Sequence, residues 1–144
     1  MEFGVGESGL VITKQFQDAS NIIWTREELI DLHIMCLRFG KMKKKFWPEL
    51  SFREFLGGND SSVNYEANRI IIRRNIPMAI IHETAHMLAF HFHKERWHAF
   101  IFKYYLQNLI LYFQDHVLEF DTKSGDIVSI PQDELYELVR KAKL

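Results

Sequence analysis

Apolar side chains recur along this chain at two spacings, and the changes between them delimit its elements. From Thr25 to Gly40 the spacing is helical: Thr25 and Glu28 match a capping box, and Leu29, Leu32, Met35 and Phe39 follow on one face. Arg69-Ile70-Ile71-Ile72 is a short β-branched run, Ser62 to Tyr65 is a second candidate strand, and Glu66-Ala67-Asn68 between them predicts a turn. A further helix is expected from Pro77, whose missing N–H costs nothing in a first turn. Ala79, Ile80, Ile81, Ala85, Leu88 and Ala89 give it an apolar surround. Ala99 to His116 repeats the helical period with a stripe of Phe102, Tyr105, Leu109, Tyr112 or Phe113, and His116. Met1 to Gly9 reads as a loose arm, Leu10 to Phe16 as a strand, and Phe46 to Phe55 as a strand ending in a short helix. Val117 to Asp121 and Ile127 to Ile130 predict a hairpin, and Pro131 to Lys143 a closing amphipathic helix on Leu135, Leu138, Val139 and Ala142.

The unusual chemistry lies between Ile80 and His98, which hold five of the seven histidines. His82-Glu83-Thr84-Ala85-His86 is an HExxH pentad. Residues four apart on a helix share a face, so both imidazoles can reach one metal ion, and Glu83 can act on a water at that ion as general base. The strand before it adds a sheet edge along which an extended peptide can pair. A catalytic zinc site takes three protein ligands and keeps a position for water, so a third ligand is needed. In an unbroken helix His91 points about 140° away from His86, and His93 lies about 16 Å beyond His82 along the axis. His98 is better placed, because a turn near His93-Lys94-Glu95-Arg96 lets the chain come back; Glu95, Asp115 and Glu119 are carboxylate alternatives.

Composition narrows the picture. At 144 residues and 47% hydrophobic the chain is expected to be one domain, residues 1–144, with a real core. A formal charge of −1 argues against strong general affinity for nucleic acid or an anionic membrane. Lys41 to Lys45 (KMKKK) is a local exception, either a solvated loop or a contact for phosphate or an acidic partner. Gly57 to Ser62 is turn-rich but lacks the arrangement of a phosphate-cradling loop. The single cysteine, Cys36, makes no internal disulfide and suits a reducing compartment. No signal peptide or membrane-length apolar run is evident, so a cytoplasmic location is expected. His33 reads as a surface or boundary residue, and Tyr104 or Tyr105 as a possible hydroxyl donor to an oxyanion.

The pentad, followed by His98-Ala99-Phe100-Ile101-Phe102 and Lys103-Tyr104-Tyr105-Leu106, resembles the HExxH…HGxxF pattern of zincins. It is similar to SprT-like proteases and to small metallopeptidases of phage and plasmid genomes, and Tyr65 to Ile70 resembles the strand that precedes their helix. The resemblance covers about Ser62 to Leu109. Ala99 stands where the pattern has Gly, and one cysteine leaves no zinc ribbon. A metzincin would need Gly at Ala89 and His at Phe92. The resemblance implies a zincin-like α+β fold, a small sheet packed on the HExxH helix with further helices around it. It also implies Zn²⁺ on His82, His86 and His98, with Glu83 as catalytic base in a metallopeptidase acting on a protein or peptide. In a phage-encoded protein the setting would be the host cytoplasm. Two other readings share the residues: a zinc hydrolase of a non-peptide bond, and a non-enzymatic phage or mobile-element interaction protein whose HExxH is structural or decayed.

Overall fold

A computed structural model describes residue 10, residues 12–53 and residues 60–114. The described residues form α1 (Lys14–Ala19), α2 (Arg26–Phe39), a 3₁₀ turn (Lys44–Phe46), β1 (Glu49–Phe52), β2 (Ser62–Asn64), β3 (Arg69–Ile72), α3 (Pro77–His93) and α4 (Phe100–Gln114). The architecture is α+β, with a mixed sheet in the order β1-β3-β2. β1 runs parallel to β3 with Leu50 opposite Ile70, and β2 runs antiparallel with Val63 opposite Ile70. The arm expected over residues 1–9, the hairpin after residue 116 and the closing helix lie outside the described residues. No helix among the described residues is long and apolar enough to cross a membrane.

The β2–β3 turn is built by two asparagines. Asn64 Oδ1 accepts from the Ala67 N–H at 3.0 Å, and Asn68 takes the left-handed conformation (φ 52°) that its short polar side chain tolerates. Asn68 also pins β1: its amide donates to the Phe46 and Trp47 carbonyls, and its own carbonyl accepts from the Glu49 N–H at 2.9 Å. The stretch after Phe46 therefore does not begin as a strand, as its aromatics suggested. A 3₁₀ turn comes first, and the strand starts only after Pro48.

Leu10 to Phe16 is likewise not a strand. Ile12 makes an isolated bridge, and the chain is helical from Lys14, because the Thr13 hydroxyl accepts from the Phe16 N–H and caps a helix there. Leu10, Ile12 and Phe16 all enter the core, while Lys14 between them is exposed.

α2 starts at the capping box of Thr25 and Glu28. Its end is a Schellman arrangement: the Met42 N–H donates to Leu37 and the Lys41 N–H to Arg38, with Lys41 in the left-handed conformation (φ 59°). Gly40, at φ −75°, is there for space. A Cβ on it would meet Leu88 of α3 at Cδ2, and at Cδ1 at 2.7 Å.

α3 packs against α2, α4, β2 and β3. Its N-cap residue, Ile76, makes no side-chain cap bond, so capping does not explain its stability. Packing does: Ile80, Ile81 and Leu88 are fully buried, at about 1.5–3 kcal/mol each, against roughly 1 kcal/mol for a good cap. Gly40→Ala is expected to destabilise the fold by about 1–3 kcal/mol through overpacking against Leu88. Chemical denaturation tests this, and in a Leu88→Ala background the same substitution should cost almost nothing; equal costs in both backgrounds would refute the contact.

Candidate metal centre

His82 and His86 stand one turn apart on the cleft face of α3, with ring centroids 5.0 Å apart. α3 runs unbroken to His93 and stops at Lys94, which adopts φ 59° and donates its N–H to Phe90; the Glu95 N–H reaches back to Ala89. The chain then reverses. The Glu95 carboxylate accepts from the Ile101 and Phe102 N–H groups at 3.2 and 2.8 Å, capping the start of α4. Fastened at both ends, the connection carries His98 back over α3. His98 Nε2 lies 2.8 Å from His86 Nε2, and the His98 ring centroid is 5.1 Å from that of His82.

One ligand atom from each of His82, His86 and His98 falls within 4.8 Å of the other two, so this trio can hold a metal ion. Two nitrogen ligands of one tetrahedral ion at about 2.0–2.1 Å are themselves roughly 3.3 Å apart, between the 2.8 Å of the His86–His98 pair and the 4.8 Å outer limit of the trio. Phe102, 0% exposed, backs the trio: its ring stacks on His86 at 4.0 Å and on His98 at 4.8 Å, and meets His82 edge-on at 5.1 Å.

The other sequence candidates are placed elsewhere. His91 packs on Phe46 and Phe92, His93 lies near Tyr105, and Glu95 is spent as a helix cap. Asp115 and Glu119 lie outside the described residues. Ala99 needs no glycine-like conformation, since its φ is not among the positive ones.

Glu83 is 6% exposed and lines the cleft, its Oε2 2.7 Å from His82 Nδ1. With Nδ1 on the carboxylate, His82 presents Nε2 as its second nitrogen. The Tyr65 hydroxyl donates to the Arg96 carbonyl at 3.3 Å and lies 3.5 Å from His86 Nδ1, where it can accept. That arrangement keeps the proton of His86 on Nδ1 and leaves Nε2 toward His98. Burial first, then the neighbouring His82 and His98, push His86 down to about 3, so it is the neutral imidazole that metal ligation requires. Burial and the Glu83 charge raise Tyr65, with Arg96 opposing them, which keeps it a hydroxyl.

Tyr65 is the residue that sequence reasoning passed over. Tyr104 and Tyr105 do not line the cleft; Tyr105 stacks near Phe92 and Tyr104 meets it edge-on. Arg96 joins Tyr65 in a clasp: its guanidinium lies over the Phe90 and Tyr65 rings and pairs with Glu66 at 2.8 Å. The exposed ion pair is weak by itself, but it ties the segment carrying His98 to the β2–β3 turn.

The cleft has a volume of about 960 Å³. Its lining includes Ser61, Ser62, Val63 and Tyr65 from β2 and its flanks, Met78, Ala79, His82, Glu83 and His86 from α3, and Arg96, Trp97 and His98 from the α3–α4 connection. β2 pairs only with β3, so its other side is a sheet edge among the described residues.

Behind the pentad, His33 corrects an expectation. It is buried rather than at the surface, with Nδ1 3.1 Å from the Thr84 hydroxyl, and so joins α2 to the back of α3. Burial lowers it to about 4, the Pro48 backbone working weakly against this.

No protein-family model, curated protein or solved structure matches this chain.

Two outcomes are expected. Tyr65→Phe should weaken metal binding by about 10–100-fold, measured by competition with a chromophoric chelator, because His86 loses the partner that fixes its tautomer. His33 binds a proton in the unfolded chain near pH 6.5 but in the folded chain only near pH 4. Its contribution is therefore complete above pH 6.5 and is lost as the pH falls toward 4, by up to about 3 kcal/mol. Denaturation midpoints across that range should fall less steeply in His33→Gln, with a residual slope from His86; parallel profiles would refute the assignment.

Proposed function

We propose that the chain is a zinc-dependent metallopeptidase of zincin-like construction, hydrolysing peptide bonds in a protein or peptide held along the cleft. The observation that carries this reading is the convergence of His82, His86 and His98 with the Glu83 carboxylate in the lining of one open cleft. Three imidazoles without a thiolate suit zinc and leave a position for chemistry. Zinc, when bound, supplies Lewis acidity that polarises a carbonyl and brings the pKa of a water to about 7. Glu83 takes the proton from that water and delivers it to the leaving amine. Tyr65 fixes His86 through its hydroxyl, and neither Tyr104 nor Tyr105, first considered for an oxyanion role, lines the cleft. The edge of β2 favours a peptide over other hydrolysable substrates, because an extended chain can pair its main chain there.

Elemental analysis and peptide cleavage test this together. Wild type and Glu83→Gln should each carry about one zinc, while His82→Ala and His98→Ala should carry none. Glu83→Gln should lower kcat by about 10²–10⁴-fold with its zinc retained. Zinc kept in His98→Ala would move the third ligand elsewhere. Wild type that takes up no zinc would point to an interaction protein, and cleavage of phosphoesters but not peptides would replace the substrate class.

A further inference from the structure

The cleft has two arginines in its lining, and they differ in commitment. Arg96 is held by Glu66 and by two aromatic rings. Arg74, exposed in the β3–α3 connection, has no hydrogen bond or ion pair from its side chain among the described residues. Asp60 also lines the cleft, without pairing to it. We propose that Arg74 is a specificity-determining residue that selects a carboxylate on the substrate; this rests on the peptidase reading above.

The backbone around Arg74 is fixed, so the guanidinium is presented from a firm base. The Arg74 carbonyl accepts from the Ile76 N–H at 2.8 Å, and the Asn75 carbonyl accepts from the Trp24 N–H at 2.9 Å. On its N-terminal side Arg73 is tied to the segment before β2, its N–H donating to Ser61 Oγ at 3.1 Å and its guanidinium to the Asp60 carbonyl at 3.4 Å. The first turn of α3 offers no competing anion site. Pro77 has no N–H, the Met78 N–H is taken by Ser20 and the Ala79 N–H by Ile76. The helix dipole there adds a field of the same sign as Arg74.

Arg74 brings a cation to the cleft from the β3–α3 connection, and Trp97, 76% exposed, brings an aromatic surface from the α3–α4 connection. Pro77 to His82 spans about 8 Å of helix, the length of two or three residues of extended peptide. The carboxylate should fall within about three positions of the scissile bond. Two sources share this chemistry, an Asp or Glu side chain and a free peptide C-terminus.

Mass-spectrometric profiling of a peptide library, supplied both as free acids and as C-terminal amides, tests the proposal on zinc-loaded protein. Wild type should favour Asp or Glu over matched Asn or Gln by about tenfold in kcat/KM. Arg74→Glu should lose that preference and favour Lys or Arg at the same position, while Arg74→Lys should keep it in weaker form. Enrichment in both libraries assigns the carboxylate to a side chain; enrichment only at the end of free acids assigns it to the C-terminus. Cleavage without an acidic preference, or an unchanged profile in Arg74→Glu, overturns the proposal and leaves the peptidase reading intact. Zinc-loaded wild type that cleaves nothing overturns both.

Discussion

A helix that is apolar on nearly every side can be held in water only by being covered, and α3 is covered by α2, α4 and the strands β2 and β3. The one stretch of its surface left to the cleft carries His82, Glu83 and His86. Burial thus does two jobs with one set of contacts. It holds the helix, through Ile80, Ile81 and Leu88, and it fixes the azimuth at which the imidazoles emerge. The tight approach of Gly40 to Leu88 and the His33–Thr84 hydrogen bond settle the same helix from behind.

The third histidine depends on a different kind of contact. Nothing in α3 brings His98 back; the return is made by a left-handed residue at Lys94, a carboxylate cap from Glu95 and the clasp of Arg96 on Glu66. Phe102 then sets a hydrophobic surface against all three rings. An aromatic backing excludes water from one side of the imidazoles and holds their planes, which a polar wall would leave free to turn.

This division explains what the sequence made legible. Local rules were enough for α2 with its capping box, for the β2–β3 hairpin, for α3 and for the start of α4 within a residue or so. They also set the condition on which His91 and His93 fall away, an unbroken helix, and α3 meets it by running to His93. Residues whose role is set by a distant partner were misread. Glu95 stayed among the carboxylate alternatives because its partners, the N–H groups of α4, exist only once the chain has turned. His33 looked superficial because Thr84 is 51 positions away. Tyr65 carries no local signal beyond its place just after β2, and the Thr13 cap starts a helix inside the segment expected as a strand.

The sheet edge beside the cleft has a further implication. An unpaired strand is sticky, and one that is open to a partner is equally open to another copy of the same chain. β2 is only Ser62–Asn64, and it ends at once in the turn that bears Glu66. So short an edge offers too few main-chain hydrogen bonds to hold two folded copies together, particularly with charged Glu66 and Arg96 beside it. The brevity of β2 lets the molecule keep one edge accessible without the self-pairing that a longer, flatter strand would invite.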